Sequence, residues 1–600
     1  MRLRYYIFAS GALFCSGSPL AYAQSPQFVP AFPLYCQGPL TTGAPAGRET
    51  TTPFVWASSG AGAAVPKPGQ CSWADRAARG SEIQSGGGNV ICDFSSAMKS
   101  VPANTFVEIG VARDPQVNNC MHLARYIGSV NPPFSAVPAL EPFTRESVAN
   151  LSSTQIDSLR KGIQVMMSRP VTDPTSYAFQ ANIHGTIASP SGPSETESWN
   201  NCEHGSFYFA SWHRMYLYFF DRILRAAAGD PNLVLPYWNW QDPNQYPLPS
   251  PFRSPANASN SLFIPAPGRP ASLDTGAALL DASVVDSSAA FSDTNYETGG
   301  SLTGEGFGGG TSPPAQFNSA YGDLESQPHN IVHSTLAGLM GDPRTAAQDP
   351  IFWLHHAEID RLWNRWLQEG GGRADPSDAA WLNTKFTFYD EAQHAVYLTG
   401  AEIVDTVGQL NYRYDDDPPF AREQRKEAAS PHAEAVTSNL TSETLAISSE
   451  TQTRLTAKPA RFELTLAAPV RERLKALVKQ PENRIFLLID DIHTEKPPGF
   501  YYAVYLNPPD PEKIDSQTPG FVGNFSLFSM LAHPGAAMHG FAVKFDVTRL
   551  LGESQSENRG TASVVLVPRG LVNKAGEQLP LEGENAGVVG SVRFVTRSTQ

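Results

Sequence analysis

Apolar residues recur at helical spacing along the middle of the chain. SSTQIDSLRKGIQVMMSR carries Ile156, Leu159, Ile163 and Met166 three or four positions apart, and serine and threonine residues that can cap a helix precede them. Two later stretches, HRMYLYFFDRIL and DPIFWLHHAEIDRLWNRW, are so rich in aliphatic and aromatic residues that they predict buried helices. The pattern therefore predicts a mainly helical central domain over residues 136–415.

Short apolar runs replace this pattern near the C-terminus. FELTLAA, RIFLLID, FYYAVYL, FAVKFDV and ASVVLV are rich in β-branched and aromatic residues and predict the strands of an all-β, sandwich-like domain over residues 461–600. Before them, PPFAREQRKEAASPHAEAVTSNLTSET is polar and charged. We therefore expect a flexible linker over residues 416–460.

The N-terminal part has a different composition. Residues 24–135 are rich in glycine, proline and serine, with short runs such as TFVEIGVA, and they contain Cys36, Cys71, Cys92 and Cys120. This combination predicts a small disulfide-stapled β module whose cysteine pairing and role remain open. Ahead of it, Arg2 and Arg4, an apolar stretch and Ala-Tyr-Ala at 21–23 predict a signal peptide over residues 1–23, and hence a secreted or periplasmic protein.

Charge and length exclude some functions. With 600 residues and 41% hydrophobic residues, the chain is long enough for several domains. Its net charge of −14 is spread along the sequence, so no basic face predicts a nucleic-acid partner. Beyond the leader, no stretch reaches the roughly 18 apolar residues of a membrane span.

Histidines cluster in and beside the apolar helical stretches. Of 13 histidines, seven lie there: His184, His204, His213, His329, His333, His355 and His356. A single histidine on an apolar helix face is more often a packed core residue than a ligand. A zinc hydrolase would use a carboxylate ligand or an H-E-x-x-H helix, and a blue-copper site would use a cysteine and an axial methionine near its histidines. Six neutral imidazoles suit two copper ions, because three ligands per ion leave an open face for dioxygen.

These stretches resemble a known family. HGSFYFASWHRMYLYFFDR, PYWNW, PHNIVH and DPIFWLHHAEIDRLW are similar to the copper-binding signatures of tyrosinases, catechol oxidases and molluscan haemocyanins, and Tyr412-Arg413-Tyr414 resembles the motif that ends their catalytic domain. The resemblance implies a four-helix bundle holding a dinuclear copper centre. It implies these copper ligands: His184, His204 and His213 for one ion, and His329, His333 and His356 for the other. Periodicity alone leaves the choice between His355 and His356 open, and the family places the ligand second.

Two further features follow from the resemblance. Cys202, two residues before His204, resembles the cysteine that fungal tyrosinases and molluscan haemocyanins join to a histidine ring by a thioether, although a free thiol or an intermolecular disulfide is also open. Glu325 and Asn330 match the residues held to orient a water that takes the proton of a monophenol. Asp360 and Arg361 are expected to form a supporting pair near His356.

The implied activity is oxidation of small phenols and catechols to o-quinones with dioxygen. A tyrosinase is expected, with a catechol oxidase or a haemocyanin-like oxygen-binding protein as alternatives. FVGNF, VKFDVTRLLGE and SVVLVPRG resemble the β domain that shields the copper site of plant polyphenol oxidases. This implies a latent enzyme that a protease activates. The oligomeric state is left open. Candidate blocking residues are Ile492, His493 and Phe500, and candidate cleavage sites are Arg422, Arg425, Lys426, Arg454 and Lys458.

Overall fold

A computed structural model of the chain describes most residues beyond 141. The described ranges are 142–297, 306–407, 409–418, 441–480, 483–515, 517–530, 540–553, 560–581 and 586–598, together with the backbone of six strands before residue 128. The predicted signal peptide and the cleavage sites Arg422, Arg425 and Lys426 lie outside the described residues.

The described helices lie mainly in the middle of the chain, as the sequence pattern predicts. They are α1 (Ser153–Met167), α2 (Tyr177–His184), α3 (Pro193–Ser198), α4 (Phe209–Ala228), α5 (Ala271–Thr275), α6 (Ser288–Ser292), α7 (Asn330–Leu336), α8 (Ile351–Gln368), α9 (Ala379–Asn383), α10 (Ala468–Val478) and α11 (Thr548–Glu553). A capping box begins α1: the Ser152 hydroxyl accepts from the Gln155 amide, and the Gln155 side chain accepts from the Ser152 amide. No helix among the described residues combines the length and apolar character of a membrane span.

The described strands fall into an early and a late group. The early strands are β1 (Val29–Cys36), β2 (Phe54–Ala57), β3 (Gln70–Trp73), β4 (Val90–Asp93), β5 (Phe106–Gly110), β6 (Cys120–Ile127), β7 (Phe143–Arg145), β8 (Phe386–Tyr389), β9 (Ala395–Leu398) and β10 (Tyr412–Tyr414). The late strands are β11 (Thr441–Ile447), β12 (Thr453–Leu455), β13 (Ala460–Thr465), β14 (Ile485–Ile492), β15 (Tyr501–Leu506), β16 (Phe521–Ser526), β17 (Phe541–Asp546), β18 (Thr561–Arg569), β19 (Gly587–Val589) and β20 (Ser591–Ser598).

The chain divides into two compact units. The first contains Met1–Arg145, Tyr218–Val234 and Ser377–Asp415, and the second contains Glu146–Leu217, Leu235–Pro376 and Asp416–Gln600. In the first unit a six-stranded sheet runs in the order β2-β5-β6-β1-β9-β8. Strands from residues 386–398 therefore complete the sheet of the N-terminal segment. We expected a self-contained module over residues 24–135, and this sheet crosses that boundary because Cys36 on β1 pairs with Tyr397 on β9.

Strand register brings the early cysteines opposite one another. Cys36 is paired with Cys120 between β1 and β6, and Cys71 with Cys92 between β3 and β4. Directly opposite positions on antiparallel strands have Cα separations within the range that a disulfide spans. We therefore propose these two pairings for the predicted disulfides.

The late strands of the second unit form two four-stranded sheets, in the orders β11-β20-β14-β17 and β13-β18-β15-β16. Their alternating apolar residues fill one buried cluster that includes Phe462, Tyr502 and Phe594. The predicted β region is present, but it begins earlier than residue 461. β11 and β12 lie within the predicted linker: TSETLAI pairs with β20, and its Leu445 and Ala446 join the buried cluster. Arg454 lies on β12, so it is part of a paired strand.

The β region contacts the helical part of the same unit. The backbone amides and carbonyls of Leu279 and Val572 exchange two hydrogen bonds of 2.9 and 3.1 Å. The Asn524 amide on β16 donates to the Ser283 carbonyl at 2.9 Å, and the Tyr321 hydroxyl donates to the Ser529 carbonyl at 3.1 Å. Ser526 and Ser529 also bond Ser334 and Asn330, which places the end of β16 and the segment after it beside α7.

Candidate metal centre

Four helices of the second unit and one loop bring the histidines together. His184 ends α2, His213 lies in the first turns of α4, and His204 precedes that helix. His333 lies on α7 one turn after His329, and α8 carries His355 and His356. All seven are buried, and they form two groups whose candidate ligand atoms lie within 4.8 Å of one another: His184, His204 and His213, and His329, His333, His355 and His356.

Hydrogen bonds to main-chain carbonyls orient the first group. The Nδ1 atoms of His184 and His213 lie 2.9 and 2.8 Å from the carbonyl oxygens of Pro343 and Phe209. A carbonyl only accepts, so each Nδ1 carries the proton and each Nε2 presents a lone pair. The Nε2 atoms of His184, His204 and His213 are buried and have no hydrogen-bond partner. Three nitrogen lone pairs therefore point towards one another with no hydrogen-bond donor to satisfy them.

The second group is oriented in the same way. His333 Nδ1 donates to the Met340 carbonyl, and His329 Nδ1 lies against the side-chain oxygen of Asn330, both at 2.9 Å. The Nε2 atoms of His329 and His333 each lie 3.3 Å from His356 Nε2. Converging lone pairs at this distance repel one another unless a proton or a metal ion lies among them.

His355 has a different environment from His356. Its Nδ1 accepts a hydrogen bond of 3.2 Å from the Trp240 indole. Both rings lie near His329 and His333, and the centroid of the His355 ring is 5.2 and 4.7 Å from theirs. Adjacent residues on a helix point about 100° apart, so His356 brings its Nε2 to 3.3 Å from the Nε2 atoms of both, while Nδ1 of His355 is engaged by Trp240.

Burial keeps these imidazoles neutral. It lowers the pKa of His184 and of His355 to about 3. The pKa values of His204, His213, His329, His333 and His356 also fall well below the usual value, first through burial and then through repulsion from neighbouring histidines. Neutral imidazole is the form that binds metal.

The two groups are adjacent, since the rings of His213 and His356 stack with centroids 4.2 Å apart. Buried nitrogen lone pairs, correct tautomers and neutral rings fit a pair of metal ions, and an all-imidazole set suits copper. No carboxylate belongs to either group among the described residues.

Cys202 lies beside the first group. Its buried sulfur is 3.3 Å from His204 Nδ1, and burial raises the pKa of the thiol. This separation places the sulfur against the edge of the imidazole ring, the position that the predicted thioether requires. The thioether itself remains a prediction.

The predicted proton-handling residues are also buried at the site. Both carboxylate oxygens of Glu325 accept from the Gly205 amide at 2.9 Å, which fixes Glu325 next to the His204 loop. Burial raises the pKa of Glu325, and the charge of Glu203 adds to this effect. Asn330, the first residue of α7, donates from Nδ2 to the Ser529 hydroxyl at 3.2 Å.

Asp360 and Arg361 do not form the expected pair. Asp360 accepts from Arg214 Nε at 2.5 Å, and the Arg214 guanidinium lies 3.7 Å over the Trp363 ring. Arg361 instead bonds Glu358 and Asp416. Consecutive side chains on α8 diverge, so each partner comes from a different direction. Arg214, which directly follows His213, thereby joins α4 to α8.

The site is covered by an aromatic residue that sequence reasoning missed. Phe528, in the segment after β16, stacks on His333 with ring centroids 4.0 Å apart, and it lies edge-to-face with His204 with ring centroids 6.2 Å apart. The expected blocking residues are elsewhere: Ile492 and Phe500 belong to the core of the β region, and His493 pairs with Val588. Those residues lie on or beside paired strands, whereas Phe528 lies in an irregular segment with no periodic signal.

Known proteins match the chain segment by segment. The common central domain of tyrosinase matches residues 174–369, which include every histidine of the two groups. Residues 174–369 are a tyrosinase domain. A polyphenol oxidase middle domain matches residues 375–427, and a domain of unknown function matches residues 441–577. The tyrosinase domain is a dinuclear copper domain, and its two histidine groups fit two copper ions.

Relatives agree with this assignment. A tyrosinase from Hahella sp. (strain CCB-MM4) is 34% identical over 309 residues, which cover 46% of this chain and 64% of that protein. The latent form of a polyphenol oxidase from Prunus armeniaca is 28% identical over 465 residues, 73% of each chain. A solved latent aurone synthase (polyphenol oxidase) aligns with a TM-score of 0.51 at 24% identity and covers 77% of this chain and 91% of that one, so the fold is shared. The predicted helical core and C-terminal β region are thereby confirmed.

The predicted localisation is contradicted by these comparisons. The polyphenol oxidases of Prunus armeniaca, Vitis vinifera and Malus domestica are named chloroplastic. The expectation of a secreted or periplasmic protein rested on residues 1–23 alone. A basic and apolar leader cut after small residues does not by itself specify the membrane that the chain crosses.

Proposed function

We propose that this protein is a copper oxidase that hydroxylates monophenols and oxidises o-diphenols to o-quinones, and that its β region holds it latent. The observation that carries the proposal is the convergence of six buried imidazoles in the tyrosinase domain, with the Nε2 atoms of His184, His204 and His213 unpaired. We assign these three to one copper ion, and His329, His333 and His356 to the other. When bound, the copper pair supplies the binding and reduction of dioxygen.

The reaction balances with dioxygen as the sole oxidant. Two o-diphenols each release two electrons and two protons to give two o-quinones, and one dioxygen becomes two waters. In hydroxylation, one oxygen atom enters the ring of a monophenol to give an o-diphenol. The other oxygen atom is reduced to water by two electrons and two protons that a further diphenol supplies.

The chain's own groups manage orientation and proton transfer. Main-chain carbonyls hold the imidazoles of His184, His213 and His333 in one tautomer, so half of the ligand set is oriented before substrate enters. A monophenol must lose its phenolic proton near the metal, and Glu325 with Asn330 would hold the water that takes it. The diphenol is more acidic and depends less on this pair.

Catechol oxidation alone is the second candidate. The observation that favours it is the engagement of both Glu325 oxygens by the Gly205 amide, which leaves this carboxyl less free to hold water. Glu325→Gln and Asn330→Leu separate the two: in a tyrosinase each should depress monophenol hydroxylation about tenfold more than diphenol oxidation. Equal losses on both substrates would favour the catechol oxidase.

Latency follows from the place of Phe528. Its ring covers the face of His333 at van der Waals distance, so an aromatic substrate would need the same space. Phe528 is fully buried, and the segment that carries it is held by the Ser526 hydroxyl, which accepts from the Phe528 amide. Access therefore requires movement or removal of the β region.

The test combines metal analysis with oxygen uptake. The purified chain should contain about two copper ions, and oxygen uptake with a catechol should rise several-fold after the β region is removed. One zinc ion and no copper would reject the proposal. Copper binding without turnover of any catechol would favour an oxygen carrier instead.

A further inference from the structure

The side chain of Asn330 is held between a histidine and the β region. Its oxygen lies 2.9 Å from His329 Nδ1, and its nitrogen donates to the Ser529 hydroxyl at 3.2 Å. Asn330 is 2% exposed and Ser529 is fully buried, so water does not compete for either bond. One amide group thus connects the histidine group to the segment that covers it.

The tautomer of His329 determines which way this amide faces. When Nε2 of His329, which faces His356, serves as a copper ligand, the His329 proton lies on Nδ1 and is donated to the Asn330 oxygen. The amide nitrogen must then face Ser529. A flipped amide would set the Asn330 N–H groups against the N–H of His329, two donors facing each other.

Ser529 is itself held in place. The Tyr321 hydroxyl donates to its carbonyl at 3.1 Å, and the preceding residue is Phe528. The covering segment therefore makes two separate contacts with the site: a ring against His333 and a hydroxyl against Asn330. A phenol could displace the first contact while the second persists.

We infer that Ser529 is a specificity-determining residue, which suppresses monophenol hydroxylation by bonding Asn330, separately from the occlusion by Phe528. The inference rests on the proposed function, in which Asn330 helps to hold the water that accepts the phenol proton. While the Asn330 nitrogen donates to Ser529, one of its two hydrogens is withdrawn from the water and the amide is held in the orientation that Ser529 sets. Diphenol oxidation has less need of the water and is suppressed mainly by Phe528.

The test uses the full-length, copper-loaded chain and two small substrates, a monophenol and its matching catechol. Phe528→Ala should raise catechol oxidation but leave the ratio of monophenol to catechol turnover low. The double variant Phe528→Ala/Ser529→Ala should raise that ratio about fivefold, because the loss of one hydrogen bond worth about 1 kcal/mol corresponds to a factor of about five. Removing the β region from the Phe528→Ala chain should raise the ratio by a similar factor.

The matched control is Phe528→Ala/Ser526→Ala. Ser526 bonds the hydroxyl of Ser334 on α7 and accepts from the Phe528 amide, so its loss loosens the same strand, helix and covering segment but removes no hydrogen bond of Asn330. This control should leave the ratio at the Phe528→Ala value. A ratio that rises equally in both double variants would assign the effect to loosening of the β region and would overturn the inference.

Other outcomes separate the inference from the proposed function. If Phe528→Ala gives no gain in catechol oxidation, two other chains are compared: the uncut wild-type chain, through its residual activity, and the chain without its β region. The quantity compared is the ratio of monophenol to catechol turnover. A ratio unchanged by Ser529→Ala and by removal of the β region overturns the inference, while catechol turnover upholds the oxidase. No catechol turnover after removal of the β region overturns the proposed function itself.

Discussion

At the scale of single residues, His355 and His356 are neighbours in sequence with different environments. His356 Nε2 converges with His329 and His333, whereas His355 bonds Trp240. His356→Ala should therefore lower the copper content from about two ions to about one and reduce catechol oxidation about 100-fold or more. Metal analysis of the folded variant gives the first number and oxygen uptake the second.

His355→Asn is the matched control, since it changes a ring of equal burial one position away. It should keep both copper ions. A chain that loses one copper with His355→Asn, and keeps both with His356→Ala, would reverse the assignment.

Cys202 supports a second prediction at this scale. Its sulfur lies 3.3 Å from His204 Nδ1, in contact with the ring edge to which the predicted thioether would be formed. A thioether replaces one S–H and one ring C–H hydrogen, so the reduced copper-loaded chain should weigh about two hydrogens less than its sequence. Mass spectrometry of the peptide containing Cys202 tests this. A peptide of full mass whose thiol alkylates after reduction would show that the bond is absent.

At the scale of helices, the buried pair Arg214 and Asp360 joins α4 to α8. Loss of one partner leaves a buried charge, so Arg214→Met should lower the free energy of unfolding by about 3 to 5 kcal/mol. Arg214→Met/Asp360→Leu removes both charges and should cost less than the single change. Denaturant unfolding measures both, and a double variant less stable than the single one would contradict this account.

A buried carboxyl in the first unit supports a pH prediction. Burial raises the pKa of Glu402 from 4.5 to about 8, although the Thr399 amide and hydroxyl donate to it. The folded state therefore keeps a proton that the unfolded chain releases, and stability falls as pH rises from about 4.5 to 8. Over this pH range the Glu402→Gln chain should therefore lose about 1 to 5 kcal/mol less of its free energy of unfolding than the wild-type chain. Thermal unfolding of the wild-type and Glu402→Gln chains at pH 5 and pH 8 tests this. If the melting temperature changes equally in the two chains between these pH values, the account is contradicted.

Much of the helical part was predictable because apolar spacing is a local signal. Leu159, Ile163 and Met166 are buried on α1 as their spacing indicates, and the clustered histidines indicated the metal groups. Periodicity could not choose between His355 and His356, because both lie on a helix buried on every side. The choice depends on Trp240, which is 115 residues away along the chain.

The β region was less predictable at its edges. β11 begins with four polar residues and follows a polar stretch, so its pairing with β20, some 150 residues later, left no local signal. Phe528 was missed for the same reason. Its burial depends on α7, and nothing in the sequence around SLFSM distinguishes a covering residue from a core residue.

At the scale of the whole molecule, latency predicts a response to proteolysis. Residues 419–440 contain Arg422, Arg425 and Lys426, and Asp416 just before them bonds Arg361. Cleavage there followed by removal of the β region should raise catechol oxidation several-fold, the range of a contact worth about 1 to 3 kcal/mol. A chain that stops at Asp417 should show the same activity. Full activity of the uncut chain, unchanged by cleavage, would mean that the β region has no occluding role.

The two backbone hydrogen bonds between Leu279 and Val572 bear on what happens after the linker is cut. They are independent of the linker, as are the bonds from Asn524 to Ser283 and from Tyr321 to Ser529. A nicked chain would therefore keep its β region as a bound subunit. The tether that held it at an effective concentration of about millimolar would be gone, and occupancy would follow mass action. Activation would then depend on dilution. Concentrated nicked protein would stay inactive, and the same sample would become active as it is diluted.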